Sequence, residues 1–105
     1  MRLLFDECID ERLRLLFPRH DCQTARFAKL ADLKNGRLLT AAEYAGFEVL
    51  IADQKIPDRQ NLSGRKISVI ILFGTTNRLR DLAALAPAAI SALDSIGHGD
   101  VVRIR

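Results

Sequence analysis

Arg2-Leu3-Leu4-Phe5-Asp6-Glu7 decides how the chain is read: an apolar run stops on two carboxylates and passes straight into an amphipathic stretch. A short, continuously apolar run fits a strand buried on both faces, as in a parallel sheet. In open α/β sheets ligands bind outside the carboxyl ends of the strands, where loop backbones and helix N-termini converge. Asp6 is therefore expected at the rim where chemistry would take place.

The pattern recurs once. Phe47-Glu48-Val49-Leu50-Ile51-Ala52 is rich in strand formers and ends on Asp53. Between the two, residues 8–17 carry Ile9, Leu13 and Leu16 at helical spacing, and Pro18 ends that segment. Residues 20–25 form a mixed strand candidate, and residues 26–34 suggest one or two irregular helical turns before Asn35-Gly36. Residues 37–45 read as a helix with Leu38, Leu39, Ala42 and Ala45 on one face and Gly46 as its C-terminal cap.

Beyond Asp53, residues 57–62 suggest one short helical turn. Residues 66–73 make the longest apolar strand, which favours a central parallel position. Gly74-Thr75-Thr76-Asn77 precedes a helix bearing Leu79, Leu82 and Leu85. Pro87 breaks the pattern and opens another helix with Ile90, Leu93 and Ile96 apolar, and residues 100–105 form a final strand.

Strands alternating with helices imply a parallel sheet covered on both faces, because right-handed crossovers place helices there. The expectation is an α/β fold: a three-layer α/β/α sandwich on a mostly parallel five-stranded sheet in the order 2-1-3-4-5. That order makes the first and third strands neighbours and sets Asp6 opposite Asp53.

At 105 residues, about half of them apolar, one core and a single domain over residues 1–105 are expected. No apolar run approaches the roughly 18 residues of a membrane span, and no secretory signal precedes Asp6, so a cytoplasmic protein without membrane contact is expected. Cys8 and Cys22 lack a metal-ligand spacing and are expected as small buried residues. A net charge of +3 and a pI near 9.2 are compatible with a nucleic-acid or acidic protein partner.

Two carboxylates at adjacent strand ends repel each other unless a cation or a shared proton offsets the charge. Mg²⁺ and Mn²⁺ accept few carboxylates and keep several waters, leaving room for a phosphate oxygen. Glu43 and Glu7 are further acidic candidates for that rim. The other reading has Asp6 and Asp53 as caps for the segments that follow them, and Glu43 as a solvated helix residue. Thr75, Thr76 and Asn77 divide in the same way between phosphate contact and helix capping. Arg59, Arg65 and Lys66, with Lys55 nearby, form a basic group that either tracks a phosphate backbone or is simply solvated. His20 receives no role.

Leu-Leu-Phe-Asp-Glu-Cys-Ile-Asp from Leu3, Lys-Asn-Gly-Arg-Leu-Leu-Thr-Ala-Ala-Glu from Lys34, Phe-Glu-Val-Leu-Ile-Ala-Asp-Gln from Phe47 and Gln-Asn-Leu-Ser-Gly-Arg from Gln60 together resemble small PIN-like nuclease domains, predicted toxins of toxin–antitoxin systems. The resemblance implies Mg²⁺ or Mn²⁺ dependence and cleavage of RNA phosphodiesters by a metal-activated water. Carried over by position, Asp6 and Asp53 hold the metal, with Glu43 as a third catalytic acid and Glu7 as its substitute. Arg59, Arg65 and Lys66 contact RNA. The implied partners are an RNA substrate, an antitoxin protein and a second copy of the chain. The chain departs from the family pattern at Asn35, at Ile51-Ala52 and at Gln54-Lys55-Ile56, where relatives carry acids or a threonine.

Those departures support an alternative: a catalytically degenerate PIN-like module that binds RNA or a protein partner, unaffected by EDTA and tolerant of Asp6→Asn. A phosphorylatable receiver ranks last, because it needs a lysine ending a later strand and none follows Phe73.

Overall fold

The computed structural model describes residues 1–55 and 62–105. The expected turn over residues 57–62 falls largely outside them, and the basic candidate Arg59 wholly so. Among the described residues five strands form one all-parallel sheet: β1 (Arg2–Phe5), β2 (Asp21–Thr24), β3 (Val49–Asp53), β4 (Ser68–Leu72) and β5 (Val101–Ile104). Their order is β2-β1-β3-β4-β5, as the sequence implied.

Alternation along each strand divides the apolar residues into two cores. Leu3, Phe5, Val49, Ile51, Ile70 and Leu72 face a 3-10 helix (Glu11–Leu16) and two short helices, α2 (Leu79–Ala83) and α3 (Ala86–Leu93). Leu4, Leu50, Val69 and Ile71 face the other way, toward α1 (Asn35–Tyr44) with Leu38, Leu39 and Ala42. Every residue of β3 and β4 is buried, the burial expected of parallel strands with helices on both sides. Phe5 and Phe17 meet edge to face, their ring centroids 5.4 Å apart.

Residues 8–17 depart from the expected α-helix. Asp10 caps a 3-10 segment instead, its carboxylate accepting from the Arg12 amide and guanidinium. The Phe17 amide closes the last turn on the Arg14 carbonyl, and Pro18, lacking an amide hydrogen, carries the ladder no further. Leu13 packs inward while Leu15 and Leu16 stay exposed.

The helix ends follow sequence signals. Gly46 takes a φ of 89° after α1, the Phe47 amide reaches back to the Ala42 carbonyl and the Gly46 amide to that of Glu43. This pair of bonds is a Schellman cap. Pro87 sits in the first turn of α3, where its missing donor removes no helical bond. No helix of the described residues is long and apolar enough to cross a membrane.

Packing on both faces makes the central strands the sensitive ones. Ile70→Ala should cost about 3 kcal/mol through lost burial and a cavity, whereas Leu15→Ala should stay within about 0.5 kcal/mol. Urea midpoints of the two variants measure this difference.

Candidate functional site

Parallel register brings Asp6 and Asp53 to the same rim. Phe5 pairs with Ile51, the Asp6 amide donates to the Ile51 carbonyl at 3.0 Å, and Asp53 closes the β3–β4 ladder opposite Leu72. Asp53 is only 1% exposed. Its Oδ1 accepts from the Lys55 amide at 2.9 Å, and its buried Oδ2 has no hydrogen-bond partner among the described residues.

Asp6 is half-buried, and its Oδ1 accepts from the Glu7 amide at 2.9 Å. Burial pushes the Asp6 carboxyl above its ordinary range; the Glu7 amide pulls against this, and the charges of Asp53 and Glu7 add to the rise. Asp6 does not cap the 3-10 segment that follows it, whereas Asp53 binds the amide two residues on, as a capping aspartate does. Asp53 makes one turn-type bond, Asp6 bonds its neighbour's amide, and the cap of the following 3-10 segment is Asp10.

Two small cavities open on this rim. One, of about 250 Å³, is lined by Asp53, Lys55, Gly74, Thr75, Thr76 and Asn77 among others. Within it the Thr76 hydroxyl is engaged locally: it donates to the Asp81 carboxylate and accepts from the Arg78 amide. The other, of about 140 Å³, is lined by Asp6, Glu7, Ile9, Glu11, Thr24 and Arg26. Glu11, Thr24 and Arg26 were not singled out from the sequence. Their signal was the strand order itself, which puts the end of β2 beside the end of β1.

Cys8 is exposed, contrary to expectation; partial desolvation of its sulfur, then the nearby charges of Asp6 and Asp53, raise its thiol pKa. Cys22 is partly buried, its thiol donating to the Phe17 and His20 carbonyls.

Glu43, Arg65 and Lys66 are not brought to this rim. Because α1 returns antiparallel to the strands, its last turn lies at their amino ends. There Glu43 Oε2 accepts from the Lys66 and Ile67 amides at 2.8 and 3.1 Å, just before β4 begins. A five-residue strand separates that point from Asp53, roughly 15 Å at 3.3 Å per residue. The two amides hold the Glu43 carboxyl below its ordinary range, helped by Arg65 and Lys66. Arg65 lies along α1, its guanidinium donating to Thr40 Oγ1 and the Gly36 carbonyl. His20 is also at the amino rim, its Nδ1 3.3 Å from the chain's terminal amine.

The residues present fit a hard divalent cation. Two carboxylates suffice for Mg²⁺, which keeps most of its waters, and Asp53 Oδ2 is unpartnered among the described residues. No group of three or more His, Cys, Asp or Glu gathers for a metal among the described residues.

Two measurements follow from the electrostatics. Asp6 titrates higher in the fold than in the unfolded chain, so its ionisation weakens the fold as pH rises through that raised value. Thermal unfolding in chelator should give Asp6→Asn the higher midpoint at pH 7, with the gain fading near pH 3. Glu43 titrates lower in the fold, so its contribution is present above the ordinary carboxylate range and lost as pH falls through the lowered value. Glu43→Gln should lower the midpoint at pH 7 and converge with the parent chain in acid.

No protein-family model, curated protein or solved structure matches the chain.

Proposed function

We propose that the chain is a metal-dependent ribonuclease of the PIN-like class, acting as the toxin of a toxin–antitoxin pair. The observation that carries this reading is the unpartnered, buried Oδ2 of Asp53 on the rim that also holds Asp6. Leaving a buried carboxylate oxygen without a partner is costly, and a second anion beside it adds repulsion. A cation between the two carboxylates relieves both costs.

In this reading Asp6 and Asp53 hold Mg²⁺ or Mn²⁺, and Glu7 assists from the position beside Asp6. The ion supplies Lewis acidity, activating water and neutralising charge on a phosphodiester. The chain's own residues supply position and charge. Lys55 and Arg26, which line the two rim cavities, replace Arg65 and Lys66 as the cations that steady the RNA backbone. Glu43 is assigned to the fold, since its carboxylate closes the backbone entering β4. The antitoxin partner is part of the proposal and rests on the sequence resemblance.

A non-catalytic binding module is the second reading, favoured by the lack of a third acidic ligand among the described residues. RNA cleavage separates the two. The nuclease should cut only with Mg²⁺ or Mn²⁺, should lose roughly hundredfold or more in Asp6→Asn and Asp53→Asn, and should keep its rate in Glu43→Gln wherever that variant is folded. Cleavage that persists in EDTA, or in Asp53→Asn, rules the proposal out.

A further inference from the structure

Phe27 is the most exposed phenylalanine of the chain, at 75%. Phe5, Phe17 and Phe47 are buried, and Phe73 lies under the Arg105 guanidinium at 4.4 Å. Phe27 is presented on a tied turn. Its amide donates to Thr24 Oγ1 at 3.1 Å, the Ala28 amide to the Thr24 carbonyl and the Leu30 amide to the Ala25 carbonyl. Lys29 holds a left-handed φ of 63° to close that turn. A backbone fixed this way loses little freedom when something is laid against the ring it carries.

What lies beside the ring narrows what that something is. Phe27 lines a cavity of about 240 Å³ together with Glu11, Arg14 and Thr24. Glu11 and Thr24 also line the cavity that holds Asp6 and Arg26, so the two hollows adjoin. Strand spacing and the width of one turn put Phe27 on the order of 10 Å from Asp6. The aromatic face, Arg14 of the 3-10 segment, Arg26 just past β2 and the Asp6 rim thus adjoin, with Glu11 shared by the two hollows.

We infer that Phe27 is a stacking platform for an unpaired nucleobase, so that the substrate is single-stranded RNA running from Phe27 past Arg26 to the Asp6–Asp53 rim. This rests on the ribonuclease reading for the identity of the rim, but the base site is separately testable. Stacking on a side chain needs a base whose face is free, which a duplex does not offer. It tolerates any base, since every base has a π-face, so selection here is for strandedness rather than sequence.

Binding is read in chelator, where nothing is cut, with a labelled single-stranded oligoribonucleotide and the same sequence as a duplex. Phe27→Ala should weaken single-strand binding roughly tenfold, within the range of one aromatic–base stack, and leave duplex binding unchanged. Phe27→Tyr should bind as the parent chain does. The chain has no tryptophan, so Phe27→Trp installs a sole indole, whose emission should be quenched by the single strand and not by the duplex. Undiminished binding by Phe27→Ala, or an indole indifferent to the single strand, overturns the inference and leaves the ring as a protein contact. Because these measurements need no cleavage, they stand apart from the nuclease test: a chain that cuts RNA equally well as Phe27→Ala refutes the platform alone, and one that cuts nothing refutes only the nuclease.

Discussion

Parallel pairing constrains everything else in this molecule. Each strand must be reached by a chain that has travelled back from the carboxyl rim to the amino rim, so the two rims receive different parts of the sequence. Residues that end strands collect on one side, and residues that end helices collect on the other. Asp6, Asp53, Thr24 and Gly74 fall on the first. Glu43, Gly46, Glu48 and Lys66 fall on the second.

The two rims use carboxylates for different purposes. Glu43 is half-buried with its Oε2 engaged by two amides, and Glu48 Oε2 accepts from the Arg2 amide at 2.9 Å. Arg2 itself bonds Asp21 and the Ala45 carbonyl and lies over the Phe47 ring at 4.4 Å, tying β1, β2 and the end of α1 together. There charge serves the fold. At the opposite rim Asp53 is withdrawn from water with one oxygen unspent, and Asp6 is pushed toward its neutral form. A perturbed carboxyl beside a buried, unpartnered one among the described residues is the kind of arrangement that binding sites favour.

Much of this was legible in the residues. The apolar runs ending on Asp6 and Asp53 located the central strands, Gly46 and Pro87 marked helix ends, and the alternation of elements implied the parallel sheet, whose order is the common one for such folds. The failures have a common source. Glu43, Arg65 and Lys66 were judged by proximity in sequence to the acidic strand ends, whereas the direction of α1 and of the chain entering β4 decides which rim they reach. The 3-10 segment is hidden in the sequence because its apolar spacing resembles that of an α-helix. Thr24 and Arg26 carry no motif and become visible only when β2 is laid beside β1.

The strand order also bears on how the sheet is put together. β1 is the first strand made, yet it lies between β2 and β3, so one of its edges stays open until residues 49–53 have emerged from the ribosome. Until then a bare, wholly apolar ribbon of Leu3, Leu4 and Phe5 must avoid stray pairing with other chains. Asp6 and Glu7, which follow it at once, put two like charges at that ribbon's end, and like charges oppose the pairing of one such ribbon with another.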